Sequence, residues 1–288
     1  MAKFFLKVLS AAALALIQPA TLSAENCDSM QVVRPVSSLY MVEAGSSHLT
    51  DTYLSPIKYS GWHIGLDYER TQAMRFSPDK WVMQMRFGLG FDKALNSPGN
   101  QSMLSGELHF SWGMMRRWRF DGGFSAGAGA SALLDAGCLY RDRGGNNPAS
   151  AKASLMAAAT GYVCWNGSVG RLPLSLRYQP VLPVVGAFFA PDYGELYYEI
   201  YLGNHSGLAH CGWWGNYFAL ENLLTADLRL GSTTLRIGYR GKVYSTKVNH
   251  TVTNISTHAA VIGVGGEWIS LSPDRRLSKD ARIISATY

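Results

Sequence analysis

One stretch of this sequence has the residue types of a hydrolytic site. Gly194-Glu195-Leu196-Tyr197-Tyr198-Glu199 is followed by Gly203-Asn204-His205-Ser206, and an imidazole beside a hydroxyl, oriented by a carboxylate such as Glu199, can activate a serine nucleophile. The spacing works against it. His205 and Ser206 are sequence neighbours, and on a strand neighbours point to opposite faces. No catalytic residue is assigned, and a hydrolase acting on lipid or lipopolysaccharide stays as an alternative. His63, His109 and His210 share no ligand-like spacing, and Cys27, Cys138, Cys164 and Cys211 form no CxxC motif. No metal site, redox motif or cofactor is expected. One disulfide in an oxidising compartment is open, with its connectivity undetermined.

A second set of chemically able residues is spread along the whole chain. Asp67, Glu69, Arg86, Glu107, Arg119, Asp121, Arg177, Glu199, Asp227, Arg229, Arg236 and Glu267 carry both signs and fall on the polar side of two-faced segments. They could line a narrow polar pore. Mixed signs confer little ion selectivity but satisfy one another well, so a salt-bridge network filling a small barrel is the weightier reading.

The elements that position these charges are visible as period-two alternation. From Trp81 the odd positions read Trp81, Met83, Met85, Phe87, Leu89 and Phe91, against Gln84, Arg86, Gly88, Gly90 and Asp92. Leu104, Leu108, Phe110, Trp112 and Met114 oppose Ser105, Glu107, His109 and Ser111, and Trp62, Ile64, Leu66 and Tyr68 oppose His63, Gly65, Asp67 and Glu69. Further strands are expected over Trp118 to Leu134, Leu155 to Cys164, Leu172 to Leu182, Glu195 to Leu202, Phe218 to Leu230, Thr233 to Thr246 and Ser256 to Ser270. Many are much longer than the roughly 5 or 6 residues of a soluble sandwich strand, and long enough for the roughly 9 to 11 that cross a bilayer. A secreted soluble β-sandwich binding protein is therefore the second alternative.

Turn parity tests the pattern. If Gly231-Ser232 is a two-residue hairpin turn, Asp227 faces Arg236 and Glu221 faces Lys242, both on the face away from Leu228, Leu230, Leu235 and Ile237. A turn centred on Ser77-Pro78 likewise sets Glu69 across from Arg86. Slipping by one residue would turn these charges into hydrocarbon, where a Lys or Arg costs roughly 2 to 4 kcal/mol at mid-bilayer. Short turns at Arg116-Arg117, Asn166 to Arg171 and Gly231-Ser232 should share the periplasmic side. That requires a weak strand near Ser206 to Trp214, giving an all-β antiparallel transmembrane barrel of about twelve strands, with ten as the alternative count. Under this topology His205 and Ser206 sit at the periplasmic end.

The first residues are an export signal: Lys3 and Lys7, an apolar run from Val8 to Ile17, and small residues ending Leu22-Ser23-Ala24. The run is about half the roughly 20 residues of a membrane helix. Removal at Ala24 leaves 264 residues and lowers the net charge from +6 to +4, too small and too scattered a surplus for nucleic-acid binding. The expected organisation is residues 1–24 signal peptide, 25–38 periplasmic segment, 39–270 barrel and 271–288 tail, with a short extra strand over Ala281 to Tyr288 left open. With 34 aromatic residues and 30 glycines, the composition is that of strands and tight turns. Trp62, Trp81, Trp112, Trp118, Trp165, Tyr178 and Trp268 fall near strand ends, as interfacial girdles require. The apolar stretch Val184 to Pro191 is unusual for an outer loop; Phe188, Phe189 and Tyr193 are candidates for an inward-folded constriction.

Asp51-Thr52-Tyr53-Leu54-Ser55-Pro56 with Tyr59-Ser60-Gly61, Phe189-Ala190-Pro191-Asp192-Tyr193-Gly194 leading into Tyr197-Tyr198-Glu199, and Leu235-Arg236-Ile237-Gly238-Tyr239 resemble an uncharacterised outer-membrane barrel family of Bacteroides-type bacteria, a domain of unknown function. The likeness runs from about Ser38 to Trp268. It implies fold and location, and no activity. The expected partners are outer-membrane lipid and lipopolysaccharide and the barrel-assembly machinery. Between a narrow solute channel and a structural or surface protein with a filled lumen, the residues alone do not choose.

Overall fold

A computed structural model describes residues 32–143, 147–170, 172–269 and 281–287; the signal segment and Cys27 lie outside them. In chain order the elements are β1 (Val32–Val33), β2 (Val36–Asp51), β3 (Ser55–Ala73), β4 (Trp81–Asn96), β5 (Ser102–Arg119), β6 (Phe124–Arg141), β7 (Ala149–Val169), β8 (Leu172–Phe189), a short helix α1 (Tyr197–Tyr201), β9 (Ala209–Trp213), β10 (Tyr217–Leu230), β11 (Thr233–Val248), β12 (Thr251–Trp268) and β13 (Arg282–Ile283). Strands β2 to β8 pair antiparallel in sequence, β8 passes to β10, and β12 closes on β2. The result is a closed ten-stranded barrel with strands of 14 to 21 residues.

The alternation sets which face meets what. Gln84 and Arg86 are buried inside, whereas Phe87, Leu89 and Phe91 are at least 40 % exposed on the outside. A wall polar within and apolar without is the inverse of a soluble core, and suits a membrane-spanning barrel, in which every backbone group of the wall is paired. No helix among the described residues is long and apolar enough to cross a membrane.

The hairpin registers agree with turn parity. Asp227 pairs with Arg236 and Glu221 with Lys242, and Glu69 pairs with Arg86. One turn is displaced. The β5–β6 reversal lies at Phe120 to Gly123, where Gly122 and Gly123 adopt φ of 74° and 81°, values that a residue with a Cβ rarely adopts. Arg116 and Arg117 continue β5 instead, and Asp121 is a turn residue.

The count is ten, not twelve, for a local reason. Pro183 has no N–H to donate, and the β7–β8 register slips beside it, leaving Val184 unpaired between the Ala157–Val185 and Ala158–Pro183 pairs. Beyond Val181, β8 parts from β10 and pairs with β9 through Val185–Phe189. The stretch read as a loop is therefore strand up to Phe189. Glu195 to Leu202 is not a strand but leads into and contains α1, and β9 pairs only with the outer end of β8. Neither crosses the wall, so the two expected crossings cancel. The β3–β4, β5–β6, β7–β8 and β10–β11 turns lie at the end that holds the chain termini; the long connection through α1 and β9 lies at the other end, correcting the placement of His205 and Ser206.

Near the termini β1 and β13 form a two-stranded parallel sheet outside the barrel ladder. The expected extra strand exists without altering the strand count.

Candidate functional site: the filled lumen

Side chains reach across the lumen from wall to wall. Arg86 on β4 donates to Glu221 on β10 at 2.5 Å, and β4 and β10 stand five strands apart round a ring of ten. Lys152 on β7 reaches Asp51 on β2 at 2.8 Å, again five strands away. Further ion pairs and hydrogen bonds fill the lumen around these spans. Arg236 grips Asp227 with two bonds of 2.7 Å and touches Glu69 at 3.2 Å. Arg240 meets Asp67 at 2.5 Å, Glu43 at 2.8 Å and Glu221 at 3.4 Å. His63 bridges Glu43 and Asp92 at 3.0 and 2.8 Å, and Gln84 and Gln179 exchange bonds of 3.2 and 2.6 Å. A buried charge is tolerable only when paired and hydrogen-bonded, which the reciprocal contacts supply.

Glycine makes room for this network. A Cβ on Gly65 would lie 2.6 Å from the Glu43 carboxylate, and one on Gly88 2.8 Å from Asp67 Oδ1. The wall is thinned where the charges are thickest.

Each end of the lumen carries its own set of contacts. At the end with the termini, Arg117 Nη1 donates to the carbonyls of Ser285 and Ala286 at 2.8 and 3.0 Å, Ser285 donates to Glu267, and the Arg177 guanidinium lies 4.4 Å over the Tyr162 ring. At the other end Leu133, Met156, Val181, Phe188 and Tyr217 pack together inside the wall. Above them the α1 connection is fastened by Tyr53 donating to the Glu195 carbonyl at 2.6 Å and by Tyr197 accepting from Ala151 N–H at 2.6 Å. Burial, then neighbouring Tyr197 and Glu195, pushes the Tyr53 phenol above its ordinary pKa.

Of the twelve charges singled out in the sequence, Asp67, Glu69, Arg86, Glu107, Arg177, Asp227 and Arg236 face the lumen. Arg119, Arg229 and Glu267 lie on the same inward register, near the barrel end that holds the termini. Asp121 belongs to a turn and Glu199 to α1, so neither lines the lumen. Glu199 instead accepts from Leu196 N–H, capping the helix, while the Ser206 hydroxyl donates to Asn204. Of the constriction residues, Phe188 points inward, 5.3 Å from the Tyr217 ring. Phe189 is half-buried and Tyr193 is exposed. Glu43, Arg240 and Gln179 are lumen residues that the sequence reading does not single out, though Arg240 shares the even parity of Arg236 and Lys242, and Asp92 is placed on the polar face without being named as a candidate. Cys138, Cys164 and Cys211 carry free thiols.

A family model described as a protein of unknown function (DUF3316) matches residues 4–275. The chain belongs to that family. No curated protein matches this DUF3316 chain. Among solved structures it is similar to the translocator domain of the autotransporter NalP from Neisseria meningitidis, at 10% identity and TM-score 0.40 over 93% of this chain and 96% of that one. It is also similar to the transport unit of the autotransporter AIDA-I from Escherichia coli, at 11%, 0.37, 90% and 97%, and to an outer membrane channel from Pseudomonas putida F1, at 9%, 0.33, 86% and 100%.

Proposed function

We propose that this DUF3316 chain is an exported outer-membrane barrel with a closed lumen, serving a structural or surface role without enzymatic activity and not as an open solute channel. The observation that carries this is the pair of wall-to-wall bridges, Arg86–Glu221 and Lys152–Asp51. Each spans the path that a solute would follow, from one wall to the other. An outward face of Tyr40, Val42, Ile64, Leu66, Phe87, Leu89, Ile262 and Val264 supports lipid contact, with lipopolysaccharide as the partner of the outer half and the barrel-assembly machinery as the inserting agent. The engagement of the Ser206 hydroxyl by Asn204 and of Glu199 by the α1 cap supports a non-catalytic loop.

The test is conductance of the refolded full chain in planar bilayers, with heat-modifiable migration on gels as proof of folding and fractionation as proof of location. A folded, outer-membrane protein that inserts and stays electrically silent is expected. Stable unitary conductance from the folded wild type would overturn the closed-lumen reading.

A further inference from the structure

Between the ion-pair network and the apolar packing at the outer end, the lumen keeps a cavity of about 130 Å³. Glu107 and His109 project into it from β5, two residues apart and so on one face of the strand. Asp135 comes from β6, where it is the direct partner of His109. One ligand atom from each of the three lies within 4.8 Å of the others. His109 is 9 % exposed; its Nδ1 meets Asp135 Oδ1 at 2.5 Å, while its buried Nε2 has no hydrogen-bond partner among the described residues.

That orphaned nitrogen asks for an explanation, because a buried polar atom without a partner costs about 1 to 3 kcal/mol. The surrounding chemistry supplies one. A metal-bound imidazole typically gives its other ring nitrogen to a carboxylate, which fixes the tautomer and raises ligand basicity. Asp135 stands in that place and is itself held by the Ser154 hydroxyl at 3.2 Å. Glu107 adds a carboxyl oxygen from the same strand, and Gly137, its partner across the ladder, sends no side chain into the space between. Imidazole with carboxylate suits zinc and its first-row neighbours, whereas calcium takes oxygen ligands.

We infer that a Glu107 carboxyl oxygen and His109 Nε2 are the protein ligands of a site inside the barrel for a divalent transition-metal ion of the zinc class, with Asp135 orienting the imidazole. Lys242 lines the same cavity and competes with the ion for Glu107. The site does not depend on whether the lumen conducts.

The experiment is equilibrium dialysis of the refolded full chain against Zn²⁺ and, separately, Ca²⁺, with elemental analysis of the retained metal. About one Zn²⁺ per folded wild-type chain is expected, with affinity at least tenfold lower in both His109→Gln and Glu107→Gln and no comparable Ca²⁺ uptake. Because either variant could fold poorly, Co²⁺ bound to the wild type is read as well; a visible d–d spectrum of an imidazole–carboxylate site is expected. Equal Zn²⁺ retention by wild type and folded His109→Gln, or a wild type that retains neither Zn²⁺ nor Co²⁺, would overturn the site.

Discussion

Replacing Arg236 with methionine keeps most of the side-chain volume and removes only the charge and its donors. The guanidinium is 1 % exposed and makes two 2.7 Å bonds to Asp227 and one of 3.2 Å to Glu69. The variant strips Asp227 of both guanidinium bonds and takes one from Glu69, leaving two carboxylates inside the barrel without their shared counter-ion. Breaking a buried pair this way costs about 3 to 5 kcal/mol. Arg86→Met is the internal comparison. Its partner Glu221 keeps Arg240 at 3.4 Å, so the loss is one charge-assisted bond, about 1.5 to 3 kcal/mol. Urea unfolding in micelles, followed by tryptophan fluorescence, should show Arg236→Met as the less stable. Adding Asp227→Asn and Glu69→Gln to Arg236→Met should recover a large part of the loss, since the destabilisation arises from unpaired charge rather than from packing. An inverted order, or an Arg236→Met barrel within 1 kcal/mol of wild type, refutes the argument that reciprocal pairing holds the lumen together.

Two further substitutions probe the wall from either side. Leu89 faces outward between Leu66 and Leu108 in the pairing ladders, so Leu89→Arg should cost about 2 to 4 kcal/mol in lipid vesicles; a change under 0.5 kcal/mol would mean that this face does not meet hydrocarbon. Gly65→Ala drives a Cβ to 2.6 Å from the Glu43 carboxylate, whereas a Cβ on Gly106 meets nothing within 4 Å. The first should lower stability by about 1 to 3 kcal/mol and the second should leave the urea midpoint in place, and equal midpoints would contradict the close fit around Glu43.

Much of the wall was legible because one wrong register would put arginine in lipid. The Trp81 to Phe91 alternation and the Gly231-Ser232 hairpin each fixed faces and partners. Legibility failed where that penalty is absent. In β2 the inward positions include Leu39, Met41 and Leu49 beside Glu43 and Ser47, so polarity does not separate the faces and Glu43 was passed over. The tyrosine-rich Glu195 to Leu202 segment resembled a strand by composition, but it lies past the end of β8, where no neighbouring strand remains to pair with it. Arg116-Arg117 looked like a turn because two adjacent arginines cannot share a lipid-facing surface; Arg117 points inward to carbonyls almost 170 residues away in sequence, a contact that no local pattern encodes. The partners of the lumen charges were also hidden. Parity told that Glu69 and Arg86 share a face, yet Glu69 pairs with Arg236 and Arg86 with Glu221, because a long side chain in a narrow tube can reach across it as well as to the neighbour that Arg236 finds in Asp227.

The small sheet joining Val32–Val33 to Arg282–Ile283 gives the molecule a latch. The ring itself closes where β12 meets β2, but the fastening over its mouth comes from the segment after it, whose Ser285 and Ala286 carbonyls take the Arg117 guanidinium. Without that contact Arg117 would keep the Pro78 carbonyl at 3.4 Å as an acceptor, so the segment adds a second hold on the arginine at the throat of the ring.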